Sequence, residues 1–149
     1  MYATILFLHN LIRWGVLLGG LYAITKSALG LIHKREYTSK ENMAHTLFVA
    51  FCHAQLLLGI ILYMVSPRVD QALANGFGAA MKNADDRFLV LEHIMTMVIG
   101  VAFIQIGRTL SKKATDAMAK HKKSLIFFSI GLLLILSRIP WQNSPLFRH

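Results

Sequence analysis

The ten residues FSIGLLLILS, 128–137, carry no charged side chain and no polar stripe along a helix. A helix of a soluble bundle keeps a polar face, so this segment is typical of a helix surrounded by lipid. The rest of the chain agrees, because 55% of its residues are hydrophobic and its mean hydropathy is +0.51. These values predict an all-α integral membrane protein, with a soluble all-α bundle as the alternative.

Apolar runs long enough to cross a membrane recur along the chain. A transmembrane helix needs about 20 mostly apolar residues, and four stretches qualify, at 3–32, 44–65, 88–110 and 124–140. Short polar connections between such helices favour an up-down-up-down antiparallel four-helix bundle. Because the four runs use most of the chain, we expect one four-helix transmembrane domain over residues 1–149.

The basic residues are distributed unevenly between the predicted connections. The chain has 16 Lys and Arg against 7 Asp and Glu, a net charge of +9. The first and third connections are rich in lysine, whereas the basic residues of the central connection are offset by aspartates. The positive-inside rule therefore predicts a multi-pass membrane protein with both termini and the central loop outside the cytoplasm. Charge placed in this way is a topology signal and does not predict a nucleic-acid partner.

Several ionisable or amide side chains lie inside the predicted spans. At a helix centre a charged group costs on the order of 2.5–3.5 kcal/mol on insertion scales, so such side chains usually face the protein interior and carry function. The candidates for a functional role inside the membrane are His9, Arg13, His53, Gln55, Glu92, His93, Gln105 and Arg138.

Depth separates the three intramembrane histidines. With a rise of about 1.5 Å per residue, His9 and His93 each lie about 9 Å below the outer end of their helices. His53 lies about 20 Å below the outer end of its helix, in a deeper layer. Two histidines at one level on facing helices can ligate a b-type haem from both sides. We therefore expect His9 and His93 to be the axial ligands of a haem iron, with His53 a weaker candidate.

Other residues fit a haem between the first and third predicted spans. Gly20 and Gly100 lie on the same helical faces as the two histidines, and their missing side chains would leave room for the macrocycle. Arg13 and Arg138 supply cations for the haem propionates. Two alternatives use the same residues without a cofactor. Glycines in transmembrane helices often serve close helix packing, and Arg13 could form a salt bridge with Glu92.

Five segments carry a resemblance to a known group of proteins. They are LHNLIRW (8–14), HAQLLLGIILYMVSP (53–67), RFLVLEHIMTM (87–97), IGRTLSKK (106–113) and IPW (139–141). Over nearly its whole length the chain resembles small four-helix membrane proteins of Bacteroidota that are labelled cytochrome b or cytochrome-b-like. That label implies haem b. The resemblance also implies a shared frame of residues, namely His9, Arg13, Gln55, Tyr63, Arg87, Glu92, His93 and Arg108.

Three functions are compatible with these patterns. The first is a membrane b-type cytochrome-like protein that binds haem between helices 1 and 3 and exchanges electrons with quinone or a respiratory membrane complex. The second is a cofactor-free accessory or assembly subunit of a larger membrane complex, and an oligomer is compatible with either. The third is a quinone-site protein or small transporter. Hydrolase and nucleotide-binding motifs are absent, and the single Cys52 excludes an internal disulfide and a C-x-x-C-H haem attachment motif.

Overall fold

The structure is a computed structural model that describes residues 1–141. Within this range every regular element is helical, which confirms the all-α prediction. Four of these elements are long helices, and a π-helical turn continues directly into the third of them. The elements are α1 (Tyr2–Ile32), α2 (Ser39–Val65), α3 (Pro67–Leu73), α4 (Phe77–Ala80), α5 (Ala84–Arg87), the π turn (Phe88–Glu92), α6 (His93–Lys113) and α7 (Ala117–Ser137).

Three helices are long and apolar enough to cross a membrane, namely Tyr2–Ile32, Ser39–Val65 and the continuous segment Ala84–Lys113. Most of the side chains on these helices are not buried inside the protein. An apolar helix that leaves its side chains uncovered is suited to lipid rather than to water. The structure therefore identifies a membrane protein with three candidate spans.

The fourth predicted span is helical but does not meet the same criteria. Helix α7 begins with a stretch that carries Lys120, Lys122 and Lys123. The part that follows, 124–137, is about 21 Å long at 1.5 Å per residue, shorter than the ~30 Å hydrocarbon core of a bilayer. The sequence predicted a span of ordinary length here because it extended the helix to residue 140, whereas α7 ends at Ser137.

Each long helix packs against two others, and buried residues from all four belong to one hydrophobic cluster. Helix α1 contacts α2 and α7, α2 also contacts α6, and α6 contacts α7. The middle of the interior is apolar and tightly filled by Phe48, Ile104 and Phe128, none of which is exposed. Close approach of α6 and α7 requires a glycine, because a Cβ at Gly131 would lie 2.5 Å from an Ile104 side-chain carbon.

The connection between α2 and α6 folds over one end of the four long helices. Pro67 is the first residue of α3, where a missing amide proton is tolerated. Gly76 has a φ of +87°, which favours glycine, and it separates α3 from α4. The Asn83 side chain accepts hydrogen bonds from the backbone amides of Asp85 and Asp86 and so caps α5.

Candidate cofactor site

A cavity of about 670 Å³ lies between α1, α2 and α6, beneath α3 and α5. We call this part of the molecule the cavity end. It is the end at which α1 begins and α7 ends. The cavity has the size of a site for a cofactor or small ligand, roughly 300–1,000 Å³. Its walls are largely apolar, as is usual for such sites. The polar side chains that line the cavity include His9, Asn10, Arg13, Gln55, Tyr63 and His93.

His93 is oriented by a backbone carbonyl from the end of α7. Its Nδ1 lies 2.7 Å from the carbonyl oxygen of Arg138. A carbonyl can only accept, so Nδ1 carries the proton and donates it. Nε2 of the neutral ring then bears the lone pair, as in histidines that ligate metals through Nε2. His93 directly follows the π turn, a local widening of the helix that is frequent at functional sites.

His9 is held differently, by a side chain of the neighbouring helix. Its Nε2 lies 3.1 Å from the Gln55 side-chain amide on α2. Its Nδ1 is buried and has no hydrogen-bond partner. The ring lies against the backbone of Gly59, where an added Cβ would be 3.3 Å from the His9 Cε1. His9 therefore has one ring nitrogen engaged by the protein and one without a partner.

Several buried polar atoms on the cavity wall have no hydrogen-bond partner within residues 1–141, among them His9 Nδ1, Asn10 Nδ2 and Gln55 Oε1. A buried polar atom without a partner costs about 1–3 kcal/mol. Such atoms are rare in a packed interior, and several together on one cavity wall are available to hydrogen-bond a molecule inside the cavity. The cavity is thus suited to a molecule that is largely apolar and carries polar groups.

The two predicted propionate partners lie in different environments. Arg13 is buried, lines the cavity and donates to Asn10 Oδ1 over 3.3 Å. Its guanidinium also lies 5.8 Å from the centre of the Trp141 ring. Arg138 is nearly half exposed, with 46% of its side chain accessible, and it lies 3.6 Å from a Glu92 oxygen.

The salt bridge considered between Arg13 and Glu92 is not formed. Glu92 instead pairs with Arg87 at 2.8 Å and with Arg138 at 3.6 Å. Arg87 precedes Glu92 by little more than one helical turn, and Arg138 directly follows α7. Both arginines are therefore close enough to pair with Glu92. Arg13 therefore keeps its place on the cavity wall, while Glu92 belongs to an ion cluster at the rim.

The predicted glycines have a packing role. A Cβ at Gly20 would lie 2.8 Å from the Phe48 ring, and one at Gly100 would lie 3.0 Å from Ile135. Both positions are occupied by neighbouring helices and neither lines the cavity. Close packing, the alternative, therefore accounts for both. A glycine that does line the cavity is Gly59, on α2.

His53 points away from the cavity and is exposed on the outside of α2. It is therefore not brought together with His9 and His93. Within residues 1–141, no three or more His, Cys, Asp or Glu side chains lie close enough to hold a bare metal ion. A haem iron needs fewer protein ligands than a bare metal ion, because the macrocycle supplies four ligands and the chain only the axial ones. Two histidines on one cavity wall are compatible with that requirement.

Sequence reasoning also missed a second polar region, which we call the loop-end cluster. It comprises Ser27, Tyr37, Asn42, His45, Thr46, Arg108 and Ser124, at the opposite end from the cavity. His45 is completely buried and bonds Ser27 through Nε2, and Tyr37 and Ser124 through Nδ1. His45 lies near the start of α2, and only the packing of the helices shows that it is enclosed.

Tyr37 connects His45 to the buried Arg108. The phenol oxygen lies 2.8 Å from His45 Nδ1 and 3.2 Å from Arg108 Nη1. Burial raises the pKa of Tyr37, although the nearby Arg108 opposes this. The phenol therefore stays protonated, accepts from Arg108 and donates to His45. Arg108 also donates to Asn42 Oδ1 over 2.7 Å, so this cluster is closely hydrogen-bonded.

No protein-family model, curated protein or solved structure matches this chain. Its function is therefore inferred from the geometry of the cavity.

Proposed function

We propose that this chain is a b-type cytochrome-like protein of the bacterial inner membrane that binds haem b between α1 and α6 and transfers electrons. The observation that carries the proposal is that His9 and His93, from two different helices, line the same cavity. The cavity also combines apolar walls with polar atoms that have no partner, which suits the largely apolar haem with its propionates. Haem supplies a reversible one-electron centre when bound.

The residues of the chain would divide the work of holding the haem. His93, with Nδ1 fixed by the Arg138 carbonyl, would offer Nε2 to the haem iron. His9 would offer its ring from α1. Arg13 is the cation on the cavity wall for a propionate, and Arg138 lies at the rim beside Glu92. Tyr63 connects α2 to the π turn at the cavity wall, because its hydroxyl donates to the Val90 carbonyl over 3.1 Å.

The proposal includes a four-helix transmembrane bundle with both termini outside. The lysines at the start of α7 can extend their side chains to the headgroups, which lets a helix with a short apolar part cross the bilayer. The basic loop end would then face the cytoplasm and the cavity end the outer surface. An electron partner would be quinone or a respiratory membrane complex that reaches the cavity end.

The competing proposal is a cofactor-free accessory subunit. In that case the buried polar residues would serve only to fix the helices, and they would satisfy one another as those of the loop-end cluster do. The unpaired atoms of His9, Asn10 and Gln55 favour a ligand instead. They would also suit a quinone headgroup, which is the second candidate for the cavity.

An absorption spectrum of the detergent-purified protein tests the proposal. Expressed with excess haem precursor, the protein should show a Soret band, and a sharp α-band on reduction. His93→Ala should lose the haem, while His53→Ala, which changes an exposed histidine on α2, should keep the wild-type spectrum. A colourless wild-type protein at full haem supply would overturn the proposal and leave the accessory role. Equal haem loss from both variants would contradict the assigned ligand.

A further inference from the structure

The two cavity histidines are not equivalent, and we infer from their hydrogen bonds that they play different roles. With haem bound, His93 would be the permanent ligand, and His9 would exchange between the iron and Gln55. While Gln55 holds His9, the ferrous iron would be open to a small neutral ligand, a diatomic of the carbon monoxide type. This inference rests on the proposed function and specifies how that site is regulated.

His93 is prepared to bind iron without any rearrangement. Its Nδ1 proton is donated to the Arg138 carbonyl over 2.7 Å. This bond fixes both the tautomer and the direction of the ring, as the second hydrogen bond of a metal-ligating histidine commonly does. The carbonyl belongs to the backbone at the end of α7, which is a rigid anchor. Nε2 is the atom left to coordinate, and no change in the protein is needed to expose it.

His9 must give up a bond before it can coordinate. Its Nε2, the atom that would bind iron, lies 3.1 Å from the Gln55 side-chain amide. Nδ1 has no acceptor that would lock the ring in a ligating orientation. One buried hydrogen bond is worth about 1 kcal/mol, a factor of about fivefold in an equilibrium. Gln55 therefore competes with the iron for His9 by a measurable but reversible amount.

The surroundings of His9 can accommodate a small ligand when the ring is withdrawn. Gly59 contributes no side chain beside the ring. Asn10 Nδ2 is a buried donor without a partner on the same wall. A donor at that place can hydrogen-bond the outer atom of a diatomic ligand, because such a ligand gains negative charge on binding ferrous iron. The open position thus has both room and a polar contact.

Carbon monoxide binding to the reduced, haem-loaded protein tests the inference. The reduced wild-type protein should give a carbon monoxide difference spectrum. Gln55→Leu removes the competitor for His9, so carbon monoxide affinity should fall by about fivefold. His9→Ala removes the exchanging ligand, so the variant that carries haem should bind carbon monoxide more tightly than the wild type. Gln105→Leu is the matched control, since Gln105 is an exposed amide that bonds Thr109 on its own helix, and it should match the wild type.

The outcomes separate this inference from the proposed function. A reduced protein that carries haem but fails to bind carbon monoxide at saturation has two permanent axial ligands, and this would overturn the inference alone. An unchanged carbon monoxide affinity in Gln55→Leu would overturn the role of Gln55. A colourless protein would overturn the proposed function and the inference with it.

Discussion

Two histidines, His45 at the loop end and His9 at the cavity end, have opposite hydrogen-bonding environments. At the loop end, His45 is fully buried with both ring nitrogens bonded to hydroxyl groups. At the cavity end, His9 has an unpaired ring nitrogen and faces about 670 Å³ of space. Satisfied and tightly packed polar groups hold helices together, whereas polar groups without a protein partner around a cavity are available to a ligand. The comparison teaches that a buried histidine must be interpreted through its partners.

The largest expected effect comes from replacing one histidine at each end with alanine. His45→Ala leaves the hydroxyls of Ser27, Tyr37 and Ser124 without their common partner, and should lower the unfolding free energy by about 3 kcal/mol. His9→Ala removes one hydrogen bond beside an existing cavity and should cost within about 1 kcal/mol. Thermal unfolding in detergent, followed by circular dichroism on protein without added haem, measures both. Similar losses in the two variants would remove the distinction between the ends.

A glycine at each end gives the next largest contrast. At Gly30 an added Cβ would lie 2.3 Å from the His121 ring, which is completely buried. Gly30→Ala should therefore destabilise the protein by about 1–3 kcal/mol through overpacking. At Gly59 the nearest atom would be His9 Cε1 at 3.3 Å, and that ring can move into the cavity.

Gly59→Ala should leave the free energy of unfolding near the wild-type value. The cost of moving the His9 ring is offset because alanine is the better helix former by about 1 kcal/mol. Its effect should instead appear as weaker haem retention. The unfolding midpoints of the two variants and their haem-to-protein ratios check this pair. A Gly30→Ala protein as stable as Gly59→Ala would show that the loop end is looser than its contacts indicate.

The smallest expected effect concerns the phenol of Tyr37. Tyr37→Phe removes the hydroxyl that bonds both Arg108 and His45, and it should lower the free energy of unfolding by about 1 kcal/mol. Burial raises the pKa of Tyr37 in the folded protein, so its contribution is complete below the unfolded pKa of about 10 and is lost as the pH rises through the folded pKa.

Unfolding midpoints measured from pH 8 to pH 11 should therefore converge for wild type and Tyr37→Phe at the alkaline end. Tyr22→Phe, an exposed phenol on α1, is the control and should follow the wild type throughout. A difference between wild type and Tyr37→Phe that stays constant with pH would show that the phenol does not titrate as a buried group.

The depth argument brought His9 and His93 to one level, and both line the same cavity. The depth argument rests on the fixed rise per residue of a helix, which lets height be counted from the sequence. It failed to identify Asn10 and Gly59, because neither residue is ionisable and a count of height does not show which neighbour a side chain meets. Rotation about each helix axis decides that, and it depends on packing with the other helices.

The loop-end cluster was beyond the sequence for a similar reason. His45 lies six residues inside α2, and its partners Ser27 and Ser124 come from two other helices. Serines in an apolar run carry no signal of their own, since they also occur at plain helix contacts. Only when α1, α2 and α7 are packed does it emerge that these hydroxyls meet one imidazole.

By itself the sequence determined that the chain is helical and apolar, that its helices lie between basic loops, and how far along each helix its polar residues lie. These properties follow from local composition and from the fixed geometry of a helix. The tertiary structure alone decided that Gly20 and Gly100 are packing positions, that Glu92 pairs with Arg87, and that His9 meets Gln55. Those contacts depend on how each helix is turned against its neighbours, which is fixed by side chains distant in the chain.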